Sequence, residues 1–179
     1  MLSFILKFFF WAGALFVLNV STWGQTHLIV PFTTGLAHVS AWLVKLWDDA
    51  VQSQGKVIWS TETGFGVSIE AACNGVEAMI ILFAALMAFP ATWKQRLVGL
   101  LIGSTAIQAL NLVRIISLFY LGQWDKDWFE FFHLYLWQML IILDALFVWL
   151  LWLRWIARSK LQGGSGGGTP PTGTAPATA

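Results

Sequence analysis

The chain holds one cysteine, Cys73, in the stretch Ala72-Cys73-Asn74-Gly75-Val76-Glu77, where a hydrophobic segment begins. A thiol becomes a nucleophile once deprotonated, and helix starts and neighbouring cations lower its pKa. Two residues in later hydrophobic segments complement it: Arg114, a fixed cation, and His133, an imidazole able to exchange a proton near neutral pH. A thiol, an imidazole and a guanidinium are sufficient for acyl transfer, as nucleophile, general base and oxyanion partner. Asn74 and Glu77 are spaced like an N-cap and its third helical residue, which places Cys73 just before a helix start. Glu77 is read as the cap partner rather than as a catalytic group. Asn111, three residues before Arg114, is a candidate for orienting the guanidinium. Each residue also has an ordinary structural role. A lone cysteine is commonly a small buried hydrophobe. An arginine near a span end can snorkel to phosphate. A histidine at a span end can be a polar boundary group.

The elements that must position these residues are membrane helices. Of the 179 residues, 58% are hydrophobic and 11% charged, against about 25% charged in soluble domains. The charges cluster, leaving long apolar runs at roughly Asn74–Phe89, Leu97–Leu121 and Phe131–Leu153. An earlier run, Phe8 to Val20, follows Lys7 and reads as a retained anchor, because Ser21-Thr22-Trp23-Gly24 is a poor cleavage site. A net charge of +1 without a basic stripe gives no basis for a nucleic-acid partner. One cysteine excludes an internal disulfide. His27, His38 and His133 lack zinc-ligand spacing, so neither metal nor cofactor is expected.

Basic residues set the orientation. Lys7, Lys94, Arg96, Arg154, Arg158 and Lys160 mark the cytoplasmic side, and the acidic loop Gln123–Glu130 marks the outside together with Cys73. Leu28–Trp47 is a poor span, interrupted by Pro31, Thr33, Thr34, Gly35, His38 and Lys45. From Leu36 it is amphipathic, with Leu36, Val39, Leu43, Leu46 and Trp47 on one face, which predicts a helix in the outer interface. A crossing there would instead put the N-terminus outside. Val57–Glu70 reads as a hairpin, with Phe65, Val67 and Ile69 alternating after the turn Glu62-Thr63-Gly64. The expected fold is an all-α polytopic membrane bundle with a small extracytoplasmic β-hairpin before the cysteine helix. Residues 1–160 form the membrane domain. Residues 161–179, rich in Gly, Pro and Thr, form a disordered cytoplasmic tail.

Helical rise gives depth. Arg114 lies 18 residues after Arg96, a rise of about 27 Å. His133 lies 21 residues before Arg154, about 31 Å. Both therefore fall near the outer boundary, at the height of Cys73. Gln108, Gln138 and Asp144 are read as buried interhelical hydrogen-bonding groups.

At these residues the chain resembles the exosortase/archaeosortase family. The likeness rests on Ala72-Cys73-Asn74-Gly75-Val76-Glu77-Ala78, on Asn111-Leu112-Val113-Arg114-Ile115-Ile116-Ser117, and on Phe132-His133-Leu134-Tyr135. The compact length and the run Leu118-Phe119-Tyr120-Leu121-Gly122-Gln123-Trp124 are most similar to the H-type exosortases. The resemblance covers about residues 5–156. It implies a cysteine peptidase/transpeptidase of the bacterial inner membrane with an extracytoplasmic active site. Its partners would be membrane lipids and exported proteins ending in a short motif, a transmembrane helix and a basic tail; the acceptor is open. Cys73 would form a thioester, His133 would move protons, and Arg114 would stabilise the anion or position substrate. Substrate would enter sideways, through a gap for which Gly99, Gly103 and Ser104 offer small surfaces. The competing readings are a non-catalytic membrane subunit or small transporter, with Arg114 and Asp144 along a polar path, and a receptor that holds signal helices without cleaving them.

Overall fold

The computed structural model describes residues 1–164. Helix α1 (Leu2–Val20) is apolar throughout and ends where Ser21 turns extended, at ψ 147°. The Ser21 hydroxyl then caps the next helix by accepting from the Gly24 N–H at 3.0 Å. Helix α2 (Thr22–Val44) passes through a π-helical turn at Gln25–Ile29. That wider turn lies just before Pro31, which lacks the N–H that a regular helix would need there.

Helix α2 is long and apolar enough to cross a membrane. Its side-chain bond to the cysteine segment, and those just beyond its end, lie at one end of the molecule. Thr33 accepts from Asn74 ahead of the cysteine helix at 3.2 Å. Just beyond α2, the Trp47 Nε1–H donates to the Tyr120 hydroxyl at 2.9 Å, and that hydroxyl donates to Asp48 at 3.1 Å. The buried stripe differs from the expected amphipathic face. Thr33, Leu36, Ala37, Ser40, Ala41 and Val44 are buried, whereas Val39, Leu46 and Trp47 are exposed. Small Ala and Ser side chains let neighbouring elements approach closely, so they face inward. Leu46 and Trp47 lie past the helix end.

A three-stranded antiparallel sheet follows, β1 (Val51–Gln54), β2 (Val57–Ser60) and β3 (Gly66–Ser68), in that spatial order. The expected hairpin is β2–β3, with Val57 opposite Ser68. The additional strand β1 pairs Val51 with Ser60. Val51, Ile58 and Ile69 are buried against α2 and against Ile115 and Phe119. The chain then makes a short 3₁₀ turn, Ala71–Cys73, and enters α3 (Val76–Ala88).

After Pro90, Thr92 and Gln95 form a reciprocal capping box for α4 (Trp93–Trp124). This helix has 32 residues, about 48 Å against the ~30 Å of a bilayer core. Its Arg114 half therefore leads to a part that meets the sheet and the end of α2. Asp125 caps α5 (Lys126–Phe131) by accepting from the Asp127 and Trp128 N–H groups. A π-helical turn, Phe132–Leu136, carries His133 and leads into α6 (Trp137–Gly164). The helix thus runs through residue 161, where a tail was expected to start, and the rest of that tail lies outside the described residues.

Helices α3, α4 and α6 close on Leu82, Leu86, Ile107 and Trp152. Gly99 and Gly103 permit this approach: a Cβ on Gly99 would stand 2.6 Å from Trp152 Cδ1, and one on Gly103 2.5 Å from Leu82 Cδ2. In lipid such contacts are driven by close packing rather than by expulsion of water. The glycines thus permit a close helix contact, and beside it Gly99 and Gly103 line a cavity of about 280 Å³ with Val148 and Trp155 of α6. Trp152 Nε1–H donates to the Gln95 carbonyl at 2.9 Å, which brings α6 past Trp152 to the start of α4. Lys94, Arg96, Arg154 and Arg158 thus share one end, called here the basic end, and Cys73 belongs to the other. Helix α1 lies along α3, with Trp11 edge-on to Phe83.

Candidate active site

The cysteine segment is held from both sides. The Cys73 N–H donates to the Glu70 carbonyl at 2.8 Å. The Glu70 carboxylate is tied to Lys56 at 2.6 Å and accepts from Ser68 at 2.8 Å. The Lys56 hydrogen bond, with that from Ser68, lowers the Glu70 pKa below the ordinary carboxylate value. On the other side Asn74 is fully buried. Its Nδ2 donates to Thr33, its carbonyl accepts from Gln108 at 3.2 Å, and its Oδ1 accepts from the Val76 N–H at 3.0 Å.

Gly75 makes this turn possible. Its φ of 75° lies in the left-handed region. A Cβ there would stand 2.9 Å from Gln108 Nε2 and 3.3 Å from Asn111 Nδ2. The N-cap of α3 is therefore Gly75, with no side-chain cap, and the expected Asn74/Glu77 capping box does not form. Asn74 bonds two residues ahead instead, because the left-handed residue turns the helix start away from it. Glu77 takes no hydrogen bond or ion pair from any described residue.

Arg114 on α4 is 2% exposed, and its Nη2–H donates to Cys73 Sγ at 3.4 Å. Its Nε and Nη1 are buried and have no partner among the described residues. Asn111 does not orient it. The Asn111 Nδ2 donates to Gln108 Oε1 at 3.3 Å, and its Oδ1 is buried without a partner. Asn111 thus belongs to the network under Gly75, together with Gln108 and Asn74. The interhelical role expected for Gln108 holds, since it joins α4 to the start of α3. Asp144 is half-buried and has no hydrogen-bond partner among the described residues. The Gln138 side chain lies outside the described residues.

The half-buried thiol of Cys73 has its pKa pushed up, not down. Burial is the largest cause, the Arg114 cation opposes it, and the Glu70 and Glu77 carboxylates add to the rise. A guanidinium beside the sulfur does not outweigh desolvation of the thiolate. The shift favours the neutral thiol over the thiolate.

His133 stacks flat on Phe129, with ring centroids 5.6 Å apart and planes 5° apart. Its Nδ1 is buried without a partner among the described residues. The Arg114 charge reaches it. No hydrogen bond joins His133 to Cys73 among the described residues. The structure therefore unites Cys73 with Arg114 directly and brings His133 into the electrostatic range of Arg114. Thr33, Gly75 and Phe129 escaped the sequence reading. The Asn74-Gly75 pair is a recognisable turn signal, but nothing marks Thr33 as a partner of Asn74.

The model of the transmembrane exosortase family matches residues 3–151. The chain belongs to the transmembrane exosortase family. No curated protein and no solved structure matches it. Exosortases are multi-pass membrane proteins and, in general, cysteine peptidases or transpeptidases that act on exported proteins with C-terminal sorting signals. The matched span contains Cys73, Arg114 and His133, and the described helices of this exosortase include four with the length and composition to cross a membrane.

Proposed function

We propose that this exosortase cleaves C-terminal sorting signals through a Cys73 thioester and passes the acyl group to an acceptor amine or to water. One observation carries the reading: a buried guanidinium contacts the only sulfhydryl of the chain and keeps two N–H donors unfilled beside it. Unfilled buried donors on a charge are costly. They become useful when a carbonyl oxygen arrives and turns negative.

In the proposed sequence His133 accepts the Cys73 proton as the sulfur attacks the scissile carbonyl. The raised thiol pKa favours this general-base route over a standing thiolate–imidazolium pair. The oxyanion of the tetrahedral intermediate sits on Arg114. On collapse the C–N bond breaks, the nitrogen takes the proton from His133, and the acyl group stays on Cys73. An acceptor amine or water then attacks the thioester. Its proton passes through His133 to the departing sulfur. The Nδ1 of His133 has no partner among the described residues, so turning the ring toward the sulfur breaks no bond to them at that nitrogen.

The thiol end faces the extracytoplasmic side of the inner membrane, and Lys94, Arg96, Arg154 and Arg158 face the cytoplasm. A substrate with its own transmembrane helix and basic tail then approaches in two dimensions, with its scissile bond already near the right height. Co-expression with such a substrate tests the proposal. Cys73→Ala should leave the precursor full length. Intact processing by that variant would end the enzyme reading. An impermeant thiol reagent applied to spheroplasts at alkaline pH should label Cys73, and absence of label there would count against an outward-facing Cys73.

A further inference from the structure

A cleft of about 560 Å³ runs along α3 between α1 and α6. Its walls include Phe8 and Phe16 from α1, Ile81 from α3 and Leu146 from α6. At the basic end the rings of Phe4 and Trp149 pack against each other, 6.4 Å between centroids, and close the cleft. Among the described residues the lining is apolar except for one, Glu77, at the thiol end. Glu77 is four residues from Cys73, and its charge is felt at the thiol. As described above, no capping role absorbs this carboxylate.

An occupant complementary to this cleft is apolar along its length and carries a hydrogen-bond-donating or cationic end beside Cys73. A phospholipid tail lacks such an end. A transmembrane helix has one at its N-terminus, where four N–H groups are unpaired and the helix dipole is positive. If the chain breaks at the carbonyl on Cys73, the departing helix begins there with a new amine. With an α-amino pKa near 8, that amine takes a proton from water and becomes an ammonium.

We propose that the α1–α3–α6 cleft seats the N-terminal turns of the substrate's anchor helix, and that Glu77 holds their end, first as helix N–H groups and after cleavage as the released ammonium. This rests on the transpeptidase reading above and makes Glu77 a positioning residue.

The test uses the full-length protein in nanodiscs, with a photoreactive side chain at Ile81 in the cleft or at exposed Leu101 on α4. The probes are synthetic leucine/alanine helices of about 20 residues, enough to span the hydrocarbon core. Each ends in lysine and arginine and begins with either a free amine or an acetylated one. The free-amine helix should crosslink at Ile81 and outcompete the acetylated helix by about fivefold, the factor of ~1 kcal/mol. Glu77→Gln should erase that preference. Equal competition by the two helices, or a preference unchanged in Glu77→Gln, overturns the role of Glu77. Equal crosslinking at Leu101, or a photoreactive phospholipid holding the Ile81 position against excess helix, overturns the cleft. Cys73-dependent processing is measured in the same preparation. Processing without crosslinking at Ile81 sinks the cleft alone, whereas a protein that processes nothing sinks the transpeptidase reading and this inference with it.

Discussion

Replacing Arg114 with lysine keeps a positive charge and removes a planar fork. In the structure one nitrogen, Nη2, meets the Cys73 sulfur at 3.4 Å, while Nε and Nη1 stay buried without a partner among the described residues. A lysine ammonium is a single tetrahedral atom. It can sit near the sulfur or near an oxyanion, but it cannot place separate donors at both. The expected loss is therefore that of one oxyanion donor, about 2.7–4 kcal/mol or 100- to 1,000-fold in turnover. Arg114→Met removes charge and fork together, and it should add a second effect. The cation opposes the burial that raises the Cys73 pKa, so without it that pKa climbs further. The assay has two readouts on purified protein in nanodiscs. One is cleavage of a signal-bearing substrate. The other is the alkylation rate of the only thiol against pH, which reports its thiolate fraction. Arg114→Lys should keep the wild-type alkylation profile while losing cleavage. Arg114→Met should lose both cleavage and alkylation at neutral pH. If Arg114→Lys cleaves within about threefold of wild type, less than 1 kcal/mol of barrier, the donor argument is wrong and Arg114 acts only as a charge.

In the wild-type protein without substrate, iodoacetamide should modify Cys73 at a rate that still rises with pH where a free cysteine peptide has levelled off, because burial favours the neutral thiol. A plateau at or below that of the peptide would contradict this. The same raised pKa makes a stability statement: the neutral thiol favours the fold fully below the ordinary thiol pKa, and that contribution is lost as pH rises through the higher folded value. Gly75→Ala should cost about 1–2 kcal/mol for a left-handed alanine, and more from displacing Gln108, read as a lower thermal midpoint with slower Cys73-dependent processing; an unchanged midpoint would refute the turn assignment. Gly99→Ala drives a methyl against Trp152, whose indole holds the Gln95 carbonyl. A loss of about 1–3 kcal/mol from overpacking is expected in the melt, with the alkylation profile of Cys73 unchanged because the contact lies at the basic end.

The long apolar runs and the clustered charges made three of the four span-length helices readable from sequence, and helical rise placed Arg114 at the height of Cys73; α2, expected in the interface, also has span length, whereas α3, expected to span, has 13 residues. Rotation around each helix was not readable. An 18-residue separation fixes height but not azimuth, and only the packed structure shows the guanidinium turned onto the sulfur. The same lack of azimuth explains Asn111, which belongs with Gln108 rather than Arg114. The sign of the thiol shift was misjudged because a sequence shows the nearby cation but not the burial that opposes it. Strand β1 was missed because Val51-Gln52-Ser53-Gln54 has a single apolar residue, and its pairing comes from β2 rather than from its own pattern. Thr33 could not be tied to Asn74, since 41 residues separate them and a hydroxyl in an apolar segment has many possible partners.

Helix α4 carries one further consequence. It runs without interruption from Arg96 to Arg114, so about 27 Å separates the basic end from the guanidinium. No hinge lies between them to adjust that length. The helix is in effect a ruler cut to the thickness of the hydrocarbon. On the proposed function, an anchor pinned by its basic tail at the level of Arg96 would present its scissile bond to Cys73 only if its own apolar stretch had the matching length. Shorter anchors would stop below the sulfur and longer ones overshoot it, so the protein would select among membrane-anchored chains partly by measuring them.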